Sequence, residues 1–266
     1  MSVHALDTTV STLMARVGAD IVMPHFRQLG AADIEEKEPG DLVTIADKKA
    51  EDALTEGLLR ILPDSRVVGE EACAADKSLL DSVTQGMVWV VDPIDGTGNY
   101  ASGVSPFAIM VALVADGQTQ AGWIYDPAIR RMCHAGLGQG AFVDGERVIS
   151  RPTGQDPIVA AINARFLPTD VRDDIMGRAD THFAQVETPR AAGEQYPRVV
   201  LGQNDIALYW RALPWDHAPG TLFLTEAGGR IARFDGTPYR VGDTRTGLLA
   251  ASTPALWDRA ASILFK

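Results

Sequence analysis

The 266-residue chain contains little cysteine and an excess of acidic over basic side chains. Its two cysteines, Cys73 and Cys133, are far apart, which predicts free thiols in a reducing compartment rather than a disulfide framework. The formal net charge of −11 argues against a sequence-independent grip on nucleic-acid phosphates, because such binding needs a basic surface. No apolar run approaches the roughly 18 residues of a membrane span, and no secretory signal pattern is present. We therefore expect a cytoplasmic protein with no nucleic-acid or membrane partner.

Several common catalytic motifs are also missing. The chain has no Gly-x-x-x-x-Gly-Lys-Ser/Thr loop and no Gly-x-Ser-x-Gly elbow. Gly136, Gly138 and Gly140 are spaced as Gly-x-Gly-x-Gly, but they lie in a predicted hairpin turn rather than between a strand and a helix. The five histidines show no zinc spacing. His217, which follows Asp216, is either a site residue or a surface or core histidine.

The composition and the apolar patterning predict a globular protein with a substantial core. Hydrophobic residues make up 46% of the chain and charged residues 22%. Up to about residue 150, helical spacing combines with hairpin signals, which predicts helices covering an antiparallel sheet. Beyond that point strands alternate with helices, which favours a mixed or parallel sheet. We place a soft boundary at 145–155, between an N-terminal α+β subdomain (1–150) and a C-terminal α/β subdomain (151–266).

The predicted elements follow from apolar spacing and from Pro and Gly breaks. Residues 31–41 are polar and are predicted to form a mobile loop. The predicted helices cover residues 1–25, 47–62, 193–203, 216–228 and 254–264, with one more after 162. The predicted strands are 41–44, 66–69, 87–91, 107–115, 118–125, 132–135, 141–143, 158–162, 183–186, 205–210 and 248–251.

The segment 89–97 is the most informative part of the chain. An apolar strand delivers Asp92 and Asp95 into a turn around Gly96, and Thr97 adds a hydroxyl. Magnesium prefers oxygen ligands and is commonly bound through one or two carboxylates together with substrate phosphate. Glycine lets backbone N–H groups approach an anion closely. The alternative is an ordinary Asp-Gly hairpin turn after a buried strand.

Four further acidic residues lie at the ends of predicted elements. Glu70 and Glu71 end a valine-rich strand, whereas Asp47 and Asp216 open helices. An aspartate at a helix start is a good N-cap, which could account for the last two. Carboxylates clustered at strand ends are costly unless cations compensate them. The acidic positions therefore indicate a divalent-cation site, with most of the ligands in the N-terminal subdomain and Asp216 in the C-terminal one.

With these motifs in order, the chain resembles the inositol monophosphatase family of magnesium-dependent, lithium-sensitive phosphatases. The resemblance extends along nearly the whole length. The matching blocks are Asp41-Leu42-Val43-Thr44-Ile45-Ala46-Asp47, Gly69-Glu70-Glu71, Trp89 through Asn99, and Trp215-Asp216 leading to Glu226-Ala227-Gly228-Gly229. It implies a layered αβαβα sandwich of the inositol monophosphatase and fructose-1,6-bisphosphatase type, hydrolysis of a phosphate monoester, and a homodimer.

The resemblance also implies the site roles. Two or three Mg²⁺ ions are expected for each site. Asp47 and Thr97 would orient and activate water, and the Gly96 and Thr97 backbone would hold the phosphate. The implied ligands are Glu70, Asp92 and the Ile94 carbonyl for the first ion, Asp92, Asp95 and Asp216 for the second, and Glu70 again for a third. Lys37 either closes the site over the phosphate or the third ion, or is a solvated loop lysine.

The chain departs from the inositol-specific pattern in its substrate region. Where family members place a small Gly-Ser/Thr-Ala segment, this chain reads Arg190-Ala191-Ala192-Gly193-Glu194. Near the family's later glutamate it reads Tyr209-Trp210-Arg211, with no acidic match. Either arginine could pair with a second phosphate or a carboxylate on the substrate. Alternatively, both lie on the surface or at a dimer interface. Pro219 also interrupts the family's Ala-Ala-Gly, and a first helical turn would tolerate it.

These observations predict a phosphoric monoester hydrolase acting on an inositol phosphate, a sugar phosphate or a related small metabolite phosphate. Bisphosphate nucleotides, fructose 1,6-bisphosphate and histidinol phosphate are the alternative substrates. A different class of function, interaction with the transcription machinery without catalysis, is the second hypothesis. The expected partner is thus a small phosphorylated metabolite, and the expected cofactor is Mg²⁺.

Overall fold

The computed structural model describes residues 3–38 and 40–265. Within these ranges, no helix has the length and apolar character needed to cross a lipid bilayer. The helices are α1 (Val3–Val17), α2 (Met23–His25), α3 (Ile45–Ile61), α4 (Glu70–Ala75), α5 (Thr97–Ala101), α6 (Thr169–His182), α7 (Ala192–Val200), α8 (Pro214–Glu226) and α9 (Pro254–Leu264). A π-helical turn at Gly18–Val22 joins α1 to α2, and short 3₁₀ turns lie at Ala31–Asp33 and Lys77–Ser82.

The strands of the described residues form three sheets. They are β1 (Ile34–Glu38), β2 (Asp41–Thr44), β3 (Arg66–Gly69), β4 (Met87–Asp95), β5 (Ala108–Ala115), β6 (Gln118–Asp126), β7 (Arg131–Gly136), β8 (Gly140–Val143), β9 (Glu146–Val148), β10 (Val159–Ile162), β11 (Ala184–Gln185), β12 (Ile206–Tyr209), β13 (Arg230–Ala232) and β14 (Leu248–Ala251). A seven-stranded sheet runs in the order β3-β4-β5-β6-β7-β8-β9, and its β3–β4 pair alone is parallel. A five-stranded mixed sheet has the order β11-β10-β12-β14-β13.

Helices and sheets alternate in five layers. Helices α1 and α3 pack on one face of the large sheet, where Leu54 meets Trp89 and Trp123 in one apolar cluster. Helices α7 and α8 fill the space between the two sheets, and α6 and α9 cover the outer face of the small sheet. Strand β5 is buried along all but its last residue, as expected for a continuous apolar run covered on both faces. The predicted αβαβα sandwich is therefore confirmed.

The middle helical layer lies very close to the large sheet. A Cβ on Gly122 of β6 would lie 2.7 Å from the Cα of Pro219 in α8, so this glycine allows the helix to lie directly on the sheet.

Helix α8 begins at Pro214 rather than at Asp216, so Pro219 lies in the second turn and not, as predicted, in the first. Both helices of this layer come from the C-terminal half of the chain.

The polar segment 31–41 is not the predicted loop. Strands β1 and β2 form an antiparallel ribbon in which Ile34 pairs with Thr44 and Glu36 pairs with Leu42. Neither face of the first strand is apolar throughout, so the alternation that signals a half-buried strand is missing from its sequence. Residue 39 lies outside the described residues. Strand β13 also escaped prediction, because its three residues are too few to show a period.

Candidate metal centre

Three carboxylates from distant parts of the chain converge at one point. Glu70, Asp92 and Asp216 each offer an oxygen, and these three oxygens lie within 4.8 Å of one another. The register explains the first two, because Gly69 pairs with Val91 in the parallel β3–β4 ladder, so the residues that follow them, Glu70 and Asp92, lie side by side. Asp216, the third residue of α8, reaches them from the middle layer.

The charges in this cluster repel one another strongly. Burial raises the pKa of Asp92 well above its usual value, and the charges of Glu70, Asp95 and Asp216 raise it further. Burial is likewise the main cause that raises the pKa of Asp216, with Glu70 adding to it. Clustered carboxylates are unfavourable without counterions. A hard divalent cation, which needs only oxygen ligands, would compensate their negative charge. The donor set therefore fits magnesium.

Asp95 lies beside this cluster and has a second, structural contact. Its Oδ1 accepts a hydrogen bond from the Ala192 N–H at 3.1 Å, and its Oδ2 accepts one from the Gly193 N–H at 2.6 Å. Burial raises the pKa of Asp95 to about 7, although the two N–H donors oppose the shift. Asp95 thus links the end of β4 to the start of α7.

A second group of contacts lies around the turn after β4. Gly96 has a φ of +86°, which a residue with a Cβ adopts only at a cost. This turn brings the Thr97 hydroxyl to 2.9 Å from the Ile94 carbonyl oxygen and 3.3 Å from Asp47 Oδ1. Its single proton can be donated to one of these acceptors at a time. The structure therefore places Asp47 and Thr97 together, within reach of the acidic cluster.

One interpretation of the sequence made Asp47 the N-cap of its helix, and the structure shows that this is wrong. Thr44 is the N-cap, and Asp47 is the third residue of α3, where the two residues form a capping box. Asp47 Oδ2 accepts from the Thr44 N–H at 2.8 Å and from the Thr44 hydroxyl at 2.5 Å. Burial raises the pKa of Asp47 to about 6, opposed by these bonds and supported by the charge of Glu70. Its other oxygen faces Thr97.

Lys37 is not a solvated loop lysine. Its Nζ lies 2.7 Å from Glu70 Oε1 and 3.0 Å from Glu71 Oε1, and its side chain is only 14% exposed. Burial alone would lower its pKa, but the two glutamates outweigh that effect and raise it. Strand β1 therefore brings a cation directly against the acidic cluster.

Glu51 is a buried residue whose role no sequence pattern predicts. It lies in α3 and accepts hydrogen bonds from the Glu71 and Ala72 N–H groups, both at 2.8 Å, at the start of the short helix α4. These bonds hold the turn that presents Glu70. A glutamate beside the apolar face of a predicted helix is the only signal for this role.

We expect Glu51→Gln to destabilise the fold and weaken metal binding together. The new amide group would point a donor at one of two backbone N–H donors, which costs about 1–3 kcal/mol of unfolding free energy. Loosening of α4 should also raise the Mg²⁺ dissociation constant measured by calorimetry. Glu56→Gln is the matched control, because Glu56 lies on the same helix with a 70% exposed side chain. Unchanged metal affinity in Glu51→Gln would show that Glu51 does not position Glu70.

The acidic cluster opens into a cavity of about 680 Å³. Its other walls come from the segments after β10, before α7 and after β12. Both Arg190 and Arg211 line this cavity, so neither is confined to a surface remote from the site. The segment Tyr209–Arg211, where inositol-specific members have a glutamate, contributes no carboxylate.

His217 is a core histidine, which agrees with the simpler of its two interpretations. Burial lowers its pKa to about 3, so the ring is neutral at physiological pH. Its Nε2 lies 2.9 Å from the Arg211 carbonyl oxygen, and its Nδ1 lies 2.7 Å from the Tyr196 hydroxyl. Because a carbonyl can only accept, Nε2 carries the proton and Nδ1 accepts from the tyrosine. The histidine thereby holds the backbone of Arg211 at the cavity wall.

Comparison with known sequences gives concordant matches. A sequence model of the inositol monophosphatase family matches residues 5–264. An inositol-1-monophosphatase of Bacillus subtilis is 31% identical over 76% of this chain and 76% of its own length. A fructose-1,6-bisphosphatase/inositol-1-monophosphatase of Thermotoga maritima is 29% identical over 84% of this chain and 83% of its own. The Nus factor SuhB of Escherichia coli is 27% identical over 85% of each.

Comparison with solved structures supports the same fold. The crystal structure of inositol monophosphatase-II from Staphylococcus aureus superposes with a TM-score of 0.82 and 25% sequence identity. The match covers 98% of this chain and 94% of that one. The five-layer arrangement is therefore shared along nearly the full length of both proteins.

Proposed function

Because the chain belongs to the inositol monophosphatase family, we propose that it is a Mg²⁺-dependent phosphatase that hydrolyses a small phosphate monoester. Family membership supports phosphatase activity as such; the substrate class and the residue roles are the proposal. The observation that carries it is the convergence of Glu70, Asp92 and Asp216 at the edge of a large cavity. Like charges this close together, with Asp92 buried among them, are unfavourable without a compensating cation, and Lys37 contacts only Glu70 of the three.

In the proposed arrangement, Glu70, Asp92 and the Ile94 carbonyl would hold one ion. Asp92, Asp95 and Asp216 would hold a second, and Glu70 would take part in binding a third. Bound Mg²⁺ would supply charge to the phosphate oxygens and would lower the pKa of an attacking water.

The chain's own residues then orient the reaction. The Thr97 hydroxyl, held by Asp47 and by the Ile94 carbonyl, is placed to accept a hydrogen bond from water when its proton points at Asp47. Holding the water in place in this way would make its attack on the phosphate effectively an intramolecular step. The backbone at Gly96 and Thr97 lines the cavity and would donate to the phosphate. Acidic residues would thus bind an anionic substrate indirectly, through the cations that they hold.

Purified protein should release inorganic phosphate from a panel of inositol, sugar, histidinol and nucleotide phosphates when Mg²⁺ is present. Chelation with EDTA should abolish release, because the buried carboxylates would then repel the phosphate. Chelation should also lower the midpoint of thermal unfolding, since a ligand that binds the folded state alone stabilises it. Readdition of Mg²⁺ should restore both quantities. Phosphate release that survives chelation would contradict the proposed chemistry.

The SuhB relatives support a second candidate, a role as an interaction protein in transcription. The Asp92→Asn variant separates the two functions, because it removes a buried charge of the cluster without touching the outer surface. A binding role would survive this change, whereas hydrolysis would not. Asp95→Asn is less suitable, because Asp95 also holds the start of α7.

A further inference from the structure

A continuous series of contacts joins two of the proposed metal ligands through helix α7. Asp95, at the end of β4, accepts hydrogen bonds from the first two N–H groups of this helix, at 3.1 Å and 2.6 Å. About one turn further along α7, the hydroxyl of Tyr196 lies 2.7 Å from His217 Nδ1. His217 directly follows Asp216 in the first turn of α8. Helix α7 therefore connects Asp95, from the N-terminal half of the chain, with Asp216, from the C-terminal half.

The contact between Tyr196 and His217 is buried, and the direction of its hydrogen bond is fixed. Tyr196 is fully buried and His217 is 2% exposed. Because His217 Nε2 donates to the Arg211 carbonyl at 2.9 Å, Nδ1 must be the acceptor and the tyrosine the donor. Both groups are shielded from solvent, so the loss of either would leave the polar atom of the other buried and unpaired.

Close packing at both ends of this series limits its freedom to move. A Cβ on Gly220 of α8 would clash with the Tyr196 ring, so the helix can lie against this ring only because residue 220 is a glycine. At the start of α7, a Cβ on Gly193 would lie 2.6 Å from the Cβ of Ala108, which pairs with Asp95 in the β4–β5 ladder. The position of the first turn of α8 relative to β4 is thus fixed by packing as well as by hydrogen bonds.

We propose that Tyr196 and His217 are positioning residues for the second of the proposed ions, because they fix the place of Asp216 relative to Asp95. This inference rests on the proposed function, which assigns Asp92, Asp95 and Asp216 to that ion. Neither Tyr196 nor His217 is a proposed ligand, so both would act through Asp216. Groups that orient metal ligands in this way commonly contribute about 10- to 100-fold to metal affinity.

The first of the proposed ions should not depend on this contact. Glu70 and Asp92 lie side by side because of the parallel β3–β4 ladder, and Ile94 belongs to β4 itself. None of these three ligands is held by α7 or by α8. Loss of the contact between Tyr196 and His217 should therefore weaken the binding of one ion and leave the other bound as before.

Calorimetric titration of the metal-free full-length chain with Mg²⁺ measures this effect without relying on turnover. The native chain should bind at least two ions. Tyr196→Phe removes the hydroxyl and keeps the ring, so it should raise the dissociation constant of one ion at least about 10-fold and change the other less than about twofold. Tyr209→Phe is the matched control, because the Tyr209 ring stacks on Tyr196 at 5.4 Å and its buried hydroxyl has no hydrogen-bond partner among the described residues. It should change neither constant.

Two substitutions of His217 separate its two hydrogen bonds. In His217→Asn, the side-chain oxygen can take the place of Nδ1 and accept from Tyr196. In His217→Gln, the amide nitrogen can take the place of Nε2 and donate to the Arg211 carbonyl. If the contact with Tyr196 positions Asp216, the asparagine variant should bind the affected ion more tightly than the glutamine variant. A histidine that only fills space, or that only holds Arg211, predicts no difference or the opposite order.

The outcomes are distinct. One weakened ion in Tyr196→Phe, with His217→Asn binding that ion more tightly than His217→Gln, supports the inference. Unchanged constants, equal weakening of both ions, or a native chain that binds a single ion overturns it and leaves a metal-dependent phosphatase standing. If the native chain binds no Mg²⁺, the proposed function fails and the inference fails with it. Thermal unfolding in EDTA shows whether each variant is folded at the titration temperature, and the two His217 variants decide the question if Tyr196→Phe is not.

Discussion

Asp92→Asn should lower Mg²⁺-dependent turnover at least about 1000-fold and should, at the same time, stabilise the metal-free protein. Asp92 is proposed to bridge two ions, so its loss removes charge stabilisation of about 4 kcal/mol or more from the transition state. Without metal, however, this carboxylate is 1% exposed and is surrounded by other acids. A neutral amide of the same shape relieves that repulsion. Steady-state kinetics with Mg²⁺ and thermal unfolding in EDTA measure the two effects.

The pH dependence of unfolding in EDTA tests the same repulsion, because the pKa shifts fix the direction in which stability changes with pH. Burial raises the pKa of Asp92 above its unfolded value and that of Asp95 to about 7. The folded state therefore binds protons more tightly than the unfolded state, and the associated stability is present at low pH and is lost as the pH rises from about 4 towards 7. Native protein in EDTA should be more stable at pH 5 than at pH 8. This difference should shrink in Asp92→Asn.

Asp95→Asn is the matched comparison, with the opposite balance of effects. Asp95 would serve one ion rather than two, so turnover should fall less than in Asp92→Asn. Unlike Asp92→Asn, it should destabilise the metal-free protein, because the asparagine amide would face the Ala192 or Gly193 N–H that the carboxylate now binds. Equal turnover losses in the two variants would contradict the bridging assignment of Asp92.

The sequence predicted those parts of the site that depend on local pattern. Valine-rich runs before Glu70 and Asp92 identify two strands, and the Asp-Gly pair at residues 95–96 identifies the turn that follows the second. Neither pattern shows that β3 and β4 are parallel neighbours, which is what brings the two carboxylates together. The approach of Asp216 depends on how α8 packs between two sheets. It could be inferred only from the family resemblance.

The missed parts are those in which polar residues serve other polar residues. Glu51, which no pattern singled out, accepts from backbone N–H groups at the start of α4, far from it in sequence. Lys37 had two interpretations, and only the structure shows its contacts with Glu70 and Glu71. Strand β1 has no apolar period because neither of its faces joins the main core. Hydrophobic spacing predicts only elements that bury one face against a core, so it does not predict the β1–β2 ribbon or polar contacts at a helix start.

Asp47→Asn is the second change with a large expected effect, a loss of about 100-fold or more in kcat/KM. Asp47 Oδ2 receives two bonds from Thr44, and Oδ1 faces the Thr97 hydroxyl. An asparagine can retain its oxygen towards only one of these partners, so its amide donor either faces the Thr44 N–H or disturbs Thr97. In the native chain the charged carboxylate offers one acceptor oxygen to Thr44 and the other to Thr97, and protonation would place a hydrogen on one of them. With its pKa raised to about 6, kcat/KM should fall as the pH drops through this value. Bound dications favour the charged carboxylate, which moves the limb to lower pH.

Thr44→Ala separates the capping role of this group from its role at the site. It removes the N-cap hydroxyl that bonds Asp47 Oδ2 and should cost about 1 kcal/mol of unfolding free energy, as lost N-caps do. It leaves Oδ1 available to Thr97, so turnover should fall far less than in Asp47→Asn. The acid limb of the pH profile should remain in Thr44→Ala and disappear in Asp47→Asn, because only the latter removes the titrating group. If the two variants lose turnover equally, Asp47 acts only as part of the capping box, and the orientation of water must be assigned to other residues.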